Sequence, residues 1–391
     1  MFSNLTQLAP VVYGNGSVSV IADKIQELGG TKVMLVYDEG IKEAGTGPRV
    51  ASIIREAGID LVEIDNIITE PPDSQMEEIY AANKDRGIDL IVGLGGGSCM
   101  DAAKALSFMF ANKIDSLEGY LMPGPDYPVS GIKLIEIPTT SGTGSEASLV
   151  GVIADTKNNL KGGVLSPMTL SIVDPELALT MPPYLTAITG MDAFSHCVEA
   201  MTANMHNPKS DALADYAIRQ IMECLPRAVS KGTDLEAREG MAVAALFGGM
   251  AFSDSFVNFG HAMAENIGAR CEADDGHIPH GLCCALCLPP TMEYVGDLCG
   301  DRIVVVANAM GIDCTGIEGD YPKIGAKAAD ETRRFMKQIG IPSFAEKGVS
   351  RDDIMDAVPA VAASHHCEAC IAPITEDVAA KYTARAYDAY Q

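Results

Sequence analysis

Apolar runs alternate with amphipathic segments along the first half of the chain. Runs with the length and composition of buried strands lie in the 32–39 region and at 61–67, 89–97 and 132–140. Between them, apolar residues keep helical spacing, as in the segment that contains Val50, Ile53, Ile54 and Ala57. Strands that alternate with helices in this way predict right-handed βαβ units around a parallel sheet.

The pattern changes in the second half of the chain. Residues 146–175 still predict a strand pair, with a polar turn at Lys157–Asn159. From about residue 184 the strand-like runs disappear, and alanine, methionine and leucine follow helical spacing. We therefore expect two domains, an α/β domain over 1–183 and an all-α domain over 184–391, with a boundary at the proline-containing segment MPPYLTAITG.

Charge and cysteine content narrow the function classes. The chain has 391 residues, with 28 Lys and Arg against 53 Asp and Glu, so its formal net charge is −25. Such a surface repels phosphate backbones and anionic membranes, so we expect no nucleic-acid or membrane partner. No basic, apolar leader and no long apolar span is evident, and the odd number of cysteines, 11, suits reduced thiols in a cytoplasm.

Two polar loops follow predicted strands and suit a ligand. In GLGGGSCMDAAK, glycines 95–97 lie between a buried strand and a helix that opens at Ser98. The unpaired N–H groups of such a helix start can bind a pyrophosphate, although the motif matches neither the dinucleotide fingerprint nor the P-loop. The second loop, in IPTTSGTGSE, also follows a strand, where open sheets bind ligands. The alternatives are a ligand-free turn and a solvated surface loop.

Asp38 stands at the carboxyl end of a predicted strand. A carboxylate there can accept hydrogen bonds from both ribose hydroxyls of an adenosine and would repel a 2′-phosphate. In the usual fingerprint the acid follows the glycines, whereas here it precedes them. The alternative is that Asp38 caps a helix.

The helical half contains one carboxylate and three histidines in unusual positions. Asp192 and His196 are four residues apart in GMDAFSHCVEA, so they share one helix face. His261 in NFGHAMAENIG and His280 in GHIPHGLCCAL also stand in apolar, glycine-flanked surroundings. One carboxylate and three imidazoles suit Fe(II) or Zn(II) with room for a substrate oxygen. The alternative is a set of core histidines.

Cys367 and Cys370 have CxxC spacing and follow His365 and His366. The pattern is compatible with a small metal or redox site, but no second CxxC lies nearby. The alternative is a loop with two free thiols.

Taken together, these motifs resemble the iron-containing (group III) alcohol dehydrogenases. GGGSxxDAAK, IPTTxGTGSE, DPEL…TGMDAFSHCVEA and HAMA…PHG occur in the order and spacing of that family over essentially the whole chain. The resemblance implies a Rossmann-like NAD-binding domain, a helical metal-binding domain and a dehydroquinate synthase-like two-domain architecture. The metal ligands that it implies are Asp192, His196, His261 and His280. The cofactor contacts that it implies, with Asp38 added from its own position, are Asp38, Gly96, Gly97, Ser98, Asp101, Thr139, Thr140, Thr143 and Lys161.

The chain departs from the family pattern near the expected proton relay. Many members carry a second histidine four residues after the first in HAMAH, and here that position is Glu265. Glu265 or His277 is therefore the candidate relay. The alternative is that Glu265 pairs with a cation such as Arg270.

The function implied is hydride transfer between NAD(H) and a small primary alcohol or aldehyde, with Fe²⁺, or else Zn²⁺ or Mn²⁺, as Lewis acid. Butanol, 1,3-propanediol, lactaldehyde and sulfoacetaldehyde are candidate substrates, and a homodimer or higher homo-oligomer is expected. Two alternatives stay open: a metal- and NAD-dependent lyase of the same fold, and a non-catalytic NAD-binding protein.

Overall fold

A computed structural model describes residue 5 and residues 9–121, 127–158 and 160–391. Residues 1–4 and 6–8 of the N-terminal segment, and Asn159 of the predicted turn, lie outside the described residues. The chain divides into two compact units after Thr180.

The first unit is built on a parallel sheet. Its strands are β1 (Val11–Tyr13), β2 (Lys32–Val36), β3 (Asp60–Ile64), β4 (Leu90–Gly95), β5 (Lys133–Pro138), β6 (Val150–Asp155), β7 (Leu160–Leu165) and β8 (Leu170–Val173). Its helices are α1 (Ile21–Glu27), α2 (Glu39–Glu43), α3 (Thr46–Glu56), α4 (Asp73–Asn83) and α5 (Gly97–Asn112). This confirms the α/β class predicted for the first half.

The sheet has the strand order β1-β8-β5-β4-β2-β3, and all its described pairs are parallel. β3 lies on one side of β2, and β4 lies on the other, so the chain reverses direction across the sheet between β2 and β4. Such a reversal opens a crevice at the carboxyl ends of the two strands. Asp38 and the glycines of the GGGS turn follow these two strands, and they are therefore neighbours.

Side chains of the strands alternate between two cores. Met34 and Ile91 pack on one face of the sheet, and Val33, Leu35 and Val92 pack on the other. Because both faces of the sheet are covered, the strands are continuous apolar runs rather than alternating apolar and polar residues. Such runs can be recognised in the sequence.

The strand pair predicted within 146–175 is confirmed, but the same range contains a third strand that the prediction did not separate. β6 and β7 form the antiparallel hairpin, but β8, within the same range, joins the main sheet between β5 and β1. β1 was not predicted at all. It is only 3 residues long, too short for a pattern to show.

The second unit, Met181–Gln391, is mainly helical. Its helices are α6 (Pro183–Thr202), α7 (Pro208–Ser230), α8 (Leu235–Ser255), α9 (Phe259–Arg270), α10 (His280–Gly296), α11 (Asp301–Ala309), α12 (Tyr321–Gln338), α13 (Arg351–Asp356), α14 (Val358–Ala362) and α15 (Glu376–Asp388). A single apolar core runs through them, and α10 packs against α6, α9, α12 and α15.

The helical class predicted for this half is confirmed, with one short exception. Residues of the acidic insert form a small antiparallel hairpin, β9 (Glu272–Ala273) and β10 (Gly276–His277). Strands of two residues are too short to show alternation, and the turn depends on Gly276, whose φ of +108° favours glycine.

Among the described helices, no single one is both long and apolar enough to cross a membrane. The pair α8 and α9, bent by 104°, meets the length and composition criterion only when its two members are taken together.

Candidate metal centre and cofactor site

The three histidines predicted as metal ligands surround the fourth predicted ligand, Asp192, in the second unit. Asp192 and His196 project from α6, His261 lies near the start of α9, and His280 opens α10. The Oδ1 atom of Asp192 lies 3.8 Å from Nε2 of His196, 3.7 Å from Nε2 of His261 and 3.6 Å from Nε2 of His280. Three helices thus bring residues from distant parts of the chain around a shared oxygen.

These separations fit metal ligation better than hydrogen bonding. Asp192 Oδ1 is buried and has no hydrogen-bond partner, and the Nε2 atoms lie too far from it to donate. Four donors placed about 2.1 Å from a metal at the corners of a tetrahedron lie about 3.4 Å apart, close to the distances observed. A buried, unpaired carboxylate oxygen is costly, and a cation would remove that cost. The residues present therefore fit a divalent metal ion.

Burial and neighbouring charges together decide the protonation of His196 and Asp192. It lowers the pKa of His196 to about 4, so this imidazole is neutral at physiological pH and its Nε2 lone pair is free for a metal. Burial would raise the pKa of Asp192, but the three imidazoles around it outweigh burial and hold that pKa well below its usual range. The site thus holds an ionised carboxylate among imidazoles.

Glu199 is a residue of the site that sequence reasoning did not single out. It is fully buried on α6, one turn after His196, and its Oε1 accepts a hydrogen bond of 2.7 Å from Nδ1 of His261. Its Oε2 accepts from the backbone N–H groups of Asn258, at 2.6 Å, and of His261, at 3.1 Å. A proton held on Nδ1 leaves Nε2 of His261 facing the metal position, the usual arrangement of a carboxylate behind a histidine ligand.

Cys284 also reaches the centre without having been predicted there. It lies one turn after His280 on α10, and its Sγ is 3.4 Å from Nε2 of His280 and 3.7 Å from Nε2 of His261. Burial raises the pKa of this thiol to about 12. Four donor atoms, one each from Asp192, His261, His280 and Cys284, lie within 4.8 Å of one another.

Glu265 pairs with a histidine, so the alternative prediction that it pairs with Arg270 is wrong. Oε2 of Glu265 lies 3.0 Å from Nε2 of His366, while Arg270 bonds to the Asn266 side chain. Burial would raise the pKa of Glu265, but His366 outweighs it and holds the pKa well below its usual range. The ring of His366 is 6.3 Å from that of His261, so the pair borders the metal centre.

The other relay candidate, His277, lies in a different environment. It is an exposed residue of β10, opposite Glu272 of β9.

In the first unit, glycines allow the loops after β4 and β5 to approach closely. A Cβ on Gly97 would lie 2.9 Å from Cγ2 of Thr143, and one on Gly96 would lie 3.3 Å from Cγ2 of Thr140. The backbone N–H of Thr139 donates to the carbonyl of Gly95 at 2.9 Å. The structure therefore brings the GGGS turn and the PTTSGT loop together, around the N-terminus of α5.

Ser98 and Lys161 are linked through a third residue. Oγ of Ser98 accepts a hydrogen bond of 3.1 Å from the backbone N–H of Glu70, and Nζ of Lys161 lies 2.5 Å from Oε1 of Glu70. The hairpin that carries Lys161 is in this way held beside the start of α5.

Asp101 belongs to a buried polar cluster beneath the loops. Its Oδ1 accepts a hydrogen bond of 2.9 Å from Oγ of Ser145, which in turn accepts one of 2.6 Å from Nζ of Lys104. Nζ of Lys104 also lies 3.5 Å from Glu136, and both side chains are fully buried. Burial raises the pKa of Asp101 to about 6 and that of Glu136 to about 8.

Asp38 caps a helix, which is the alternative foreseen for it. Its Oδ1 accepts a hydrogen bond of 2.7 Å from the N–H of Ile41 at the start of α2, and its Oδ2 accepts one of 3.3 Å from the thiol of Cys99. The contact with Cys99 places Asp38 next to the GGGS turn. Capping does not preclude ribose binding, since a carboxylate can accept about four hydrogen bonds.

Comparison with known proteins identifies the family of the chain. The family model for iron-containing alcohol dehydrogenases matches residues 9–175, and the model for the C-terminal region of the same family matches residues 186–385. The chain is 34% identical to the NAD-dependent methanol dehydrogenase of Bacillus methanolicus over 349 residues, which cover 88% of this chain and 89% of that protein.

Solved structures show the same architecture. A 1,3-propanediol oxidoreductase superposes with a TM-score of 0.91 at 30% identity, covering 99% of this chain and 100% of the other. The sulfoacetaldehyde reductase of Bifidobacterium kashiwanohense, solved with NAD⁺, superposes with a TM-score of 0.85 at 26% identity, covering 98% of this chain and 99% of the other. The chain therefore belongs to the family of iron-containing alcohol dehydrogenases, which confirms the resemblance seen in the sequence and makes the protein an iron- and NAD(H)-dependent oxidoreductase of alcohols and aldehydes.

Proposed function

We propose that this protein interconverts a small primary alcohol and its aldehyde, with NAD(H) held by domain 1–183 and iron held by domain 184–391. The observation that carries the proposal is the unpartnered Oδ1 of Asp192, which three imidazole Nε2 atoms approach to 3.6–3.8 Å. When bound, Fe(II) supplies Lewis acidity to the substrate oxygen and NAD(H) donates or accepts the hydride.

Asp192, His196, His261 and His280 are the proposed metal ligands. Glu199 orients His261 through its 2.7 Å hydrogen bond. The partly exposed His280 lies at the accessible side of the centre, because 31% of its side chain is open to solvent whereas those of the other three ligands are buried. A substrate oxygen would approach from this side.

The proposed cofactor site follows from the start of α5. Gly96, Gly97 and Ser98 would hold the pyrophosphate at the N-terminus of α5, and Thr139, Thr140 and Thr143 belong to the adjoining loop. Asp38 would accept hydrogen bonds from the ribose hydroxyls. Asp101 and Lys161 complete the set, Asp101 by anchoring the loop through Ser145 and Lys161 by its place beside Ser98.

Glu265, with His366, is the proposed route for the alcohol proton. In alcohol oxidation a proton must leave the hydroxyl group. A carboxylate hydrogen-bonded to an imidazole at 3.0 Å can accept a proton and pass one on. His277, exposed on β10, is the second candidate.

Substrate and setting complete the proposal. Butanol, 1,3-propanediol, lactaldehyde and sulfoacetaldehyde are the substrates proposed, and the names of the similar proteins support small alcohols and aldehydes. All 11 cysteines are free thiols, which supports a reducing cytoplasm. A homodimer or higher homo-oligomer, without a nucleic-acid or membrane partner, is proposed from the family resemblance and the charge.

The test is a turnover assay with the four aldehydes and their alcohols. Protein purified without air and loaded with Fe(II) should consume NADH with at least one aldehyde. His196→Ala should reduce turnover about a hundredfold or more by removing a ligand. His206→Ala is the matched control, because His206 pairs with Asp211 outside the metal centre. Thermal unfolding checks that both variants fold.

The alternatives give different results in the same assay. A lyase would convert its substrate without net NADH consumption, and a non-catalytic binder would retain NAD without any turnover. Iron-loaded protein that oxidises no NADH with any compound of the panel would contradict the proposal.

A further inference from the structure

Cys284 lies at the metal centre but is not one of the four proposed ligands. Its thiol is buried, and it points at the same space as the histidines, 3.4 Å from Nε2 of His280 and 3.7 Å from Nε2 of His261. A sulfur about 2.3 Å and a nitrogen about 2.0 Å from a tetrahedral metal lie about 3.5 Å apart. The two distances observed bracket that value.

A second observation points to the same space. Asp192, whose buried Oδ1 has no hydrogen-bond partner, contributes a carboxylate oxygen to a group of donor atoms that includes Sγ of Cys284, and these atoms lie within 4.8 Å of one another. The other members of the group are His261 and His280. One carboxylate, two imidazoles and one thiol are a complete donor set for a tetrahedral cation.

We propose that this centre offers a second ligand set, Asp192, His261, His280 and Cys284, which holds a thiophilic divalent cation such as Zn²⁺ or Cd²⁺. The inference rests on the metal centre of the proposed function and extends it. As the metal–sulfur bond forms, the thiol proton is released to solvent, and nothing is oxidised or reduced. His196 is the ligand that Cys284 replaces.

The two sets separate metals by softness. Thiolate ligands favour zinc and cadmium, whereas the set with three imidazoles and a carboxylate suits iron. A zinc ion with four protein ligands has no open position, which is the hallmark of structural rather than catalytic zinc sites. Zinc bound through Cys284 would therefore leave no position for a substrate oxygen.

The test uses Cd²⁺ as the probe, because a cadmium–thiolate bond absorbs in the ultraviolet by charge transfer. Metal-free protein carrying Cys367→Ala, which removes the CxxC pair as a competing thiol site, is titrated with Cd²⁺. One equivalent should produce the absorption band, and Cys284→Ala in the same background should abolish it and weaken Cd²⁺ binding roughly tenfold or more.

Cys283→Ala is the matched control. Cys283 is an equally buried neighbour on α10, and its Sγ lies beside Gly268, so its removal should leave the band unchanged. Fe(II) added first should also suppress the band by occupying the shared ligands, a measurement that needs no variant at Cys284.

The outcomes separate this inference from the proposed function. One equivalent of Cd²⁺ bound without the band, or a band that survives Cys284→Ala, would overturn the role of Cys284 while the iron site stands. Failure of both Cd²⁺ and Fe(II) to bind would overturn the metal centre itself.

Discussion

Glu265 shows how one side chain can be tested for chemistry at the residue scale. It is hydrogen-bonded to His366 at 3.0 Å on the border of the metal centre. If the pair carries the alcohol proton, Glu265→Gln should lower kcat about a hundredfold and change the pH profile, because the amide cannot accept the proton. Steady-state kinetics across pH, with iron content measured in parallel, check this.

The control for Glu265 is Asn266→Ala on the same helix, where the side chain bonds to Arg270 and to the backbone carbonyl of Ala262 rather than to His366. A variant that keeps wild-type turnover and iron would make Glu265 structural and move the relay to His277 or to bound water. Loss of iron that excess Fe(II) restores would instead make Glu265 a residue that positions His261.

Asp38 allows charge and helix capping to be separated. A carboxylate facing the ribose should repel a 2′-phosphate, so we expect NADH to be preferred over NADPH. Asp38→Asn removes the charge but keeps a good N-cap for α2. The ratio of kcat/KM for NADH to that for NADPH should fall roughly tenfold to a hundredfold, with little change in Tm. An unchanged ratio, or equal use of NADPH by the wild type, would refute the role of Asp38.

At the scale of elements, α5 and β5 are in contact through two buried ionisable side chains, Lys104 on α5 and Glu136 on β5. Nζ of Lys104 lies 3.5 Å from Glu136, whose two carboxylate oxygens have no hydrogen-bond partner. Burial, only partly offset by Lys104, raises the pKa of Glu136 from 4.5 to about 8. The folded protein therefore keeps this proton at pH values where the unfolded chain has lost it.

Stability should therefore depend on pH in a definite direction. The contribution of Glu136 is fully present below about pH 4.5 and is lost as pH rises toward 8. Between these values, the free energy of unfolding of the wild type should fall, relative to that of Glu136→Gln, by an amount on the order of a few kcal/mol. Urea unfolding at several pH values checks this, with the exposed Glu118→Gln as control. Parallel pH curves for wild type and Glu136→Gln would show that Glu136 is ionised in the folded state.

For the whole molecule, we expect the bound metal to determine the rate of turnover. Zinc binds N and O ligands more tightly than Fe(II), so it should occupy the centre readily. We expect zinc-loaded protein to turn over at least about tenfold more slowly than iron-loaded protein. Zinc favours lower coordination numbers, and with Cys284 as a ligand it would have no position left for a substrate oxygen. Anaerobic reconstitution with each metal, followed by the NADH assay and metal analysis, checks this. Equal turnover with zinc would remove the iron assignment but not the need for a metal.

The sequence by itself determined the class of the first unit and the faces that carry the ligands. Continuous apolar strands read clearly because both faces of the sheet are covered, and helical periodicity alone puts Asp192 and His196 on one face. Short elements such as β1 and the β9–β10 hairpin were not predicted from the sequence, because two or three residues cannot show a hydrophobic period. β8 was not separated from the strand pair predicted within 146–175, because its place in the main sheet depends on contacts distant in sequence.

Only the tertiary structure decided which side chains meet across helices. Glu199 had a local signal, since it lies one turn after His196, but a glutamate in a helix usually faces solvent. Cys284 had the same kind of local signal, one turn after His280, and His366 precedes the CxxC motif. Neither pattern indicates an approach to the centre, because that depends on how the helices of the second unit pack in the common core. Periodicity within a helix is a local property of the backbone, whereas the contact between two helices is set by the packing of many side chains. The partners of the metal ligands depend on these contacts between helices.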